Sequence, residues 1–220
     1  MKPALIFDLD GTLIDSAPAI HSVTNYVLGE MGYPMITLSQ TRSFIGRGTG
    51  HLVACVLKTA GQPTDGVLFD KMHSRFVERY AIDLDGNHQY PHVRTALDAL
   101  VMQGYRMAIC TNKPYVPAMA ALEHVGLLDV FDVVIGGDSL QTRKPDPAIL
   151  RKAHTDLGGG SLIYIGDSEV DAQTAQAAGC PFVLYTEGYC HRPVHDLPHD
   201  VAFSDWRMFP GIIDHMVKAM

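Results

Sequence analysis

Two carboxylates one residue apart, Asp8 and Asp10, follow the apolar run Ala4-Leu5-Ile6-Phe7 and lead into Gly11 and Thr12. Comparable runs end at Thr111-Asn112 and at Asp167, and Lys144 stands in a polar stretch between them. Together these positions offer three carboxylates, a hydroxyl, an amide and one ammonium. Three carboxylates close together repel, and a hard divalent cation relieves that best. Oxygen ligands with an unfinished shell suit Mg²⁺, which keeps waters and binds a substrate phosphate. Lys144 and the Thr111 hydroxyl then serve the remaining phosphate oxygens, since in-line displacement needs their charge neutralised. Asp8 is left to attack phosphorus, and Asp10 to protonate the leaving oxygen and later activate water.

Such a set works only if the fold brings it together. A short apolar run bounded by a turn signal reads as a strand buried on both faces. Asp8 and Asp10 then sit at its C-terminal end, where open α/β sheets place their ligands. From Tyr90 onward the texture alternates. Helices are expected at 93–102, 117–125, 147–157 and 171–178, and strands at 106–112, 131–136, 162–167 and 182–185. A short strand at 201–203 and a final helix from about 210 follow. This alternation predicts a doubly wound, mostly parallel Rossmann-like sheet, with all the polar strand ends in one crevice. Residues 17–82 read differently. Ile20, Val23, Val27, Leu28 and Met31 recur at helical spacing, and further helical stretches cover about 38–44, 50–60 and 65–82. The expectation is a catalytic core of residues 1–16 and 83–220 interrupted by a helical cap, 17–82.

The chain's 220 residues carry a net charge of −7. That balance argues against a nucleic-acid backbone or an anionic membrane surface as partner. No apolar run reaches the roughly 20 residues needed to span a bilayer. Met1-Lys2-Pro3 leads straight into the first strand, which predicts no signal peptide. Cys55, Cys110, Cys180 and Cys190 form no CxxC pair or disulfide framework. The setting expected is cytoplasmic, with a small phosphorylated metabolite as partner and a monomeric or small homo-oligomeric state.

Asp8-Leu9-Asp10-Gly11-Thr12, Thr111-Asn112, Lys144-Pro145 and Gly166-Asp167-Ser168-Glu169-Val170-Asp171 resemble, in order and spacing, the four motifs of the haloacid dehalogenase-like superfamily. The helical stretch stands where that family carries its α-helical cap. Ile45-Gly46-Arg47-Gly48, Cys110-Thr111-Asn112-Lys113-Pro114, Gly137-Asp138 and Arg143-Lys144-Pro145-Asp146-Pro147 are similar to its phosphoglycolate phosphatase branch. The resemblance implies Asp8 as nucleophile and metal ligand, and Asp10 as general acid/base with its main-chain carbonyl on the metal. It implies Thr111 and Asn112 at the phosphate, Lys144 as the charge-stabilising lysine, Asp167 as the remaining carboxylate ligand of Mg²⁺, and Asp171 outside the ligand shell. An acid at position 10 implies phosphoester chemistry; dehalogenases carry an aromatic residue there and phosphonatases a small apolar one. The activity implied is Mg²⁺-dependent hydrolysis of 2-phosphoglycolate through an aspartyl phosphate. A sugar-phosphate phosphatase, a pyrophosphatase or a phosphoglucomutase-like enzyme would carry the same motifs.

Several residues have two readings. Arg47, between two glycines, suits either a bidentate clamp on a substrate carboxylate or a solvated loop. Thr111 and Asn112 also suit strand-end capping, and Asp171 a helix start. Asp15 reads as a turn or cap residue, and Arg42 as surface. His191, His195 and His199 recur every four residues beside Cys190, but Pro193 and Pro198 break any helix that would align them on zinc. A phospho-aspartate regulatory module shares the acids, Thr and Lys, yet such modules are compact units of about 120 residues without an inserted cap.

Overall fold

The structure, a computed structural model, describes residues 2–219. The chain opens with β1 (Ala4–Phe7) and the short β2 (Ile14–Asp15). Four helices follow, α1 (Ala17–Glu30), α2 (Leu38–Phe44), α3 (Thr49–Thr59) and α4 (Gly66–Tyr80), and then β3 (His88–Gln89). Helices and strands alternate thereafter: α5 (Val93–Met102), β4 (Met107–Cys110), α6 (Tyr115–His124) and β5 (Val133–Ile135). The series continues through α7 (Ala148–Asp156), β6 (Leu162–Gly166), α8 (Glu169–Ala178) and β7 (Phe182–Tyr185). It closes with β8 (Val201–Phe203) and α9 (Phe209–Ala219).

β1 is completely buried because it lies at the middle of a six-stranded sheet, ordered β5-β4-β1-β6-β7-β8. Every pairing in that sheet is parallel. The chain winds outward from β1 to β4 and β5, then restarts on the other side of β1 with β6. The winding therefore reverses at β1, and the crevice at its C-terminal end is where such sheets hold ligands. One apolar layer covers each face. Phe7, Phe203, Trp206 and Phe209 meet under one face, with Phe7–Phe209 ring centroids 5.8 Å apart. Ile6, Ala108, Ile149, Tyr164 and Leu184 fill the other. This is the doubly wound, mostly parallel α/β fold expected.

The four helices between β2 and β3 pack around an apolar cluster of their own, including Ile20, Val23, Leu52, Val56, Met72 and Phe76. The chain enters and leaves this bundle side by side, because β2 and β3 pair antiparallel with Ile14 opposite Gln89 and Asp15 opposite His88. That two-residue ribbon carries too little periodicity to be read from sequence. α8 starts two residues before the expected position. Ser168 caps it by accepting from Asp171 N, while the Asp171 side chain returns the bond to Ser168 N.

Candidate active site

The ladder continues one residue past β1, where Asp8 N donates to Ile165 O at 2.9 Å. The Asp8 side chain is thereby fixed between β4 and β6, at the point where the winding reverses. Gly11 then turns with φ +87°, and a Cβ there would lie 2.4 Å from Asp167 Oδ2. Gly188 approaches the same carboxylate from another loop, where a Cβ would also come within 2.4 Å of Oδ2. Glycine at both positions is what lets two loops close on Asp167. Thr12 Oγ1 donates to Asp167 Oδ1 at 2.7 Å, and Tyr189 N to Oδ2 at 2.7 Å.

Asp8, Asp167 and Asp171 are all buried and each offers an oxygen within 4.8 Å of the others. The one ammonium among them is Lys144. Its Nζ lies 2.9 Å from Asp8 Oδ1, and it donates to Asp171 Oδ1 at 2.7 Å and to Tyr164 OH at 3.1 Å. Two of its three N–H bonds are thus committed, and the ammonium's charge stands against Asp8. Burial pushes Asp8 up to about 7, with Asp171 and Asp10 adding to the rise and Lys144 opposing it. Burial pushes Asp167 well above the carboxylate range too, reinforced by Asp171 and Asp8. Burial acts the same way on Asp171, but Lys144 and the hydrogen bonds from Ser168 and Tyr164 outweigh it and hold that carboxyl low. Burial lowers Lys144, and Asp171 with Asp8 more than reverses it.

Three buried carboxylates against one ammonium leave an excess of negative charge in a low-dielectric site. Asp8 Oδ1 is buried without a well-directed hydrogen bond, its approach to Lys144 being out of line. An all-oxygen donor set with surplus charge and a free lone pair fits a hard divalent cation. Asp171 sits in this cluster but has no capacity left for one. Its Oδ1 accepts from Lys144 and Tyr164, and its Oδ2 from Ser168 Oγ, Ser168 N and Asp167 N. Those donors exhaust the roughly four lone-pair sites of a carboxylate.

Asp10 turns the other way. Lys113 Nζ donates to Asp10 Oδ1 at 2.9 Å and to the Tyr80 hydroxyl on α4, and lies 4.1 Å from the centre of the Tyr80 ring. Burial lowers Lys113, and Asp10 works against that shift. The strand ends and the bundle line a common pocket. Its floor is Asp8, Asp10, Thr111, Asn112 and Lys113, and its roof includes Ile20, Phe44, Leu52, Phe76 and Tyr80.

Asp8, Asp10, Thr111, Lys144, Asp167 and Asp171, distant in sequence, therefore meet at one end of the sheet. Two expected contacts differ. The Asn112 amide is spent on main chain: it donates to Gly46 O at 3.1 Å and Lys144 O at 3.0 Å, and accepts from Lys144 N at 2.9 Å. Its side chain brackets the lysine loop and has no hydrogen left for a phosphate. Arg47 is exposed and lines a neighbouring cleft with Ser168, Glu169 and Arg192, not the pocket that holds Asp8 and Asp10. Two minor readings stand: Asp15 accepts from Ala17 N at 3.2 Å at the start of α1, and Arg42 is exposed. Asp15 also accepts from Tyr189 OH at 2.6 Å, and Arg42 pairs with Asp15 across 3.3 Å, tying α2 to β2. The histidines of the 191–199 loop form no metal cluster among the described residues.

Lys113, Tyr80, Thr12 and Tyr189 are the functional neighbours that sequence reasoning left without a role. Lys113 had a signal, a second cation at a polar strand end. Tyr80 and Tyr189 had none, since their contacts join segments far apart in the chain. No helix among the described residues is long and apolar enough to cross a membrane.

The family described as haloacid dehalogenase-like hydrolase matches residues 5–185. A phosphoglycolate phosphatase of Rhodobacter capsulatus is 57% identical over 214 residues, covering 97% of this chain and 98% of that protein. One of Cereibacter sphaeroides (strain ATCC 17025 / ATH 2.4.3) is 45% identical over 216 residues, covering 98% and 99%. The crystal structure of "a predicted phosphoglycolate phosphatase" from Haemophilus somnus 129PT superposes with a TM-score of 0.89 at 29% identity, covering 96% of this chain and 97% of that one.

Proposed function

The chain belongs to the haloacid dehalogenase-like hydrolase family as a phosphoric monoester hydrolase, and from that premise we propose that it hydrolyses 2-phosphoglycolate to glycolate and phosphate, with Mg²⁺, through an aspartyl phosphate. The observation that carries the reading is the division of labour at the end of β1. Asp8 faces the carboxylate cluster and Lys144, while Asp10, two residues on, faces the pocket and Lys113.

In this reading the phosphoryl group sits over Asp8, with the Thr111 hydroxyl and Lys144 beside it. Asp8 and Asp167, with the main-chain carbonyl of Asp10, would hold the Mg²⁺, which supplies charge neutralisation at the phosphate oxygens. Asp8 attacks phosphorus; the new Asp8 O–P bond forms as the P–O bond to the leaving group breaks. Asp10 delivers a proton to the departing alkoxide. The same carboxylate then takes a proton from a water that attacks the acyl phosphate, releasing inorganic phosphate and restoring Asp8. Asp171 acts through Lys144, fixing the ammonium against Asp8. The bundle is the cap that shuts this chemistry away from bulk water.

The pocket supports a small leaving group. Its roof is formed mostly by apolar side chains, which give a polyhydroxylated sugar few hydrogen-bond partners. The four cysteines are free, in keeping with a reducing, cytoplasmic setting. A phosphate-release screen with and without Mg²⁺ tests the proposal, across 2-phosphoglycolate, sugar phosphates, nucleotides and pyrophosphate. A preference for 2-phosphoglycolate that vanishes with chelator is expected; a preference for a sugar phosphate or pyrophosphate overturns the substrate assignment.

A further inference from the structure

The substrate proposed above carries a second anion. A carboxylate entering a largely apolar pocket needs a cationic partner there, because leaving it unpaired is costly. Lys144 is held by Asp171 and Tyr164 against Asp8 and does not line this pocket, and Arg47 lies outside. Among the described residues lining the pocket, Lys113 is the single cation, only 4% exposed. Two of its three N–H bonds go to Asp10 and Tyr80, and both acceptors themselves border the pocket. Lys113 therefore stands beside Asp10, the group that must protonate the leaving oxygen, in the pocket that the leaving group would enter.

We propose that Lys113, with the Tyr80 hydroxyl of α4, is the specificity-determining pair that receives the leaving group's carboxylate, in place of Arg47. The proposal rests on the phosphoglycolate reading. Binding would exchange one carboxylate for another on the ammonium: Lys113 releases Asp10 Oδ1 and takes the substrate's oxygen. Asp10 is then free to face the bridging oxygen. Tyr80 lies at the end of the bundle, so the same contact draws the cap onto a substrate that carries a carboxylate and gives no such pull to one that lacks it.

The test compares kcat/KM for 2-phosphoglycolate with that for ethyl phosphate, which matches it in chain length but lacks the carboxylate. Any effect of Lys113 acting only through Asp10 is common to both esters and cancels in the ratio. In K113M the ratio is expected to fall about a hundred-fold, and in Y80F about ten-fold, as for loss of buried charge-assisted contacts. K113R, which keeps the charge, should restore part of the ratio. Glycolate should inhibit the wild type competitively and lose that inhibition in K113M, while inhibition by inorganic phosphate persists. A high wild-type ratio that survives in both K113M and Y80F overturns this proposal alone. A wild-type ratio near one overturns the phosphoglycolate reading and this proposal with it. Should K113M fail to fold, Y80F, which keeps the ring and removes only the hydroxyl, decides by the same ratio.

Discussion

Replacing Asp171 with Asn distinguishes a residue that holds Lys144 from one that holds metal. In the native site five donors converge on the Asp171 carboxylate. An amide cannot accept from both sides, so one set of donors faces an NH₂ whichever way it turns. Breaking a buried pair by removing one partner costs about 3–5 kcal/mol. Two features reduce that here: Asp8 remains 2.9 Å from Lys144 Nζ, and one negative charge leaves a crowded cluster. Opposing this, a buried unsatisfied donor pair costs about 1–3 kcal/mol. The net expectation is about 3 kcal/mol of lost stability, which for a domain of this size lowers Tm by about 6–12 °C. With the ammonium no longer held against Asp8, kcat should drop about 10²-fold. The Mg²⁺ concentration for half-maximal rate should stay within a few-fold of wild type. Thermal unfolding and a Mg²⁺ titration of initial rates read both quantities. An unchanged Tm and kcat with a large rise in the Mg²⁺ requirement would refute the reasoning and make Asp171 a metal ligand.

Removing the Thr12 hydroxyl (T12V) deletes the 2.7 Å bond that orients Asp167 and should raise the Mg²⁺ needed for half-maximal rate about ten-fold or more, measured by the same titration. Mg²⁺ should raise the thermal midpoint, because it relieves the buried carboxylates only in the folded chain; at a hundred times its Kd the gain is about 2.7 kcal/mol, or about 5–11 °C by scanning calorimetry. Phe76→Ala, at a buried position of the helical bundle, should cost about 3–5 kcal/mol of stability in denaturant unfolding.

The sheet was legible because its strands are continuous apolar runs, and buried parallel strands need no finer pattern. The polar groups at their ends were legible for the same reason: each stands where an apolar run stops. The site's inner wiring was not. Asn112 reads as a ligand because its type and place suit one, yet its amide is consumed by the main chain of Lys144 and Gly46, a contact no local spacing encodes. Arg47 drew attention for its loop between glycines, while the cation that borders the pocket is Lys113. Which of two cations faces a cavity depends on how the bundle is set on the core. That setting is made by the β2–β3 ribbon, two residues a side, and by Tyr189, whose hydroxyl accepts from Ser16 N and Ala17 N at 2.8 and 2.9 Å.

The central claim is that Asp8 is the nucleophile, and Asp8→Asn tests it most directly. An amide there fits the same space, and it replaces a carboxyl that burial already pushes up to about 7, so the variant should unfold cooperatively at a midpoint no lower than that of the metal-free wild type. Phosphate release from 2-phosphoglycolate at saturating Mg²⁺ should fall by at least about 10⁴-fold. Turnover within ten-fold of wild type by the folded variant would contradict the account.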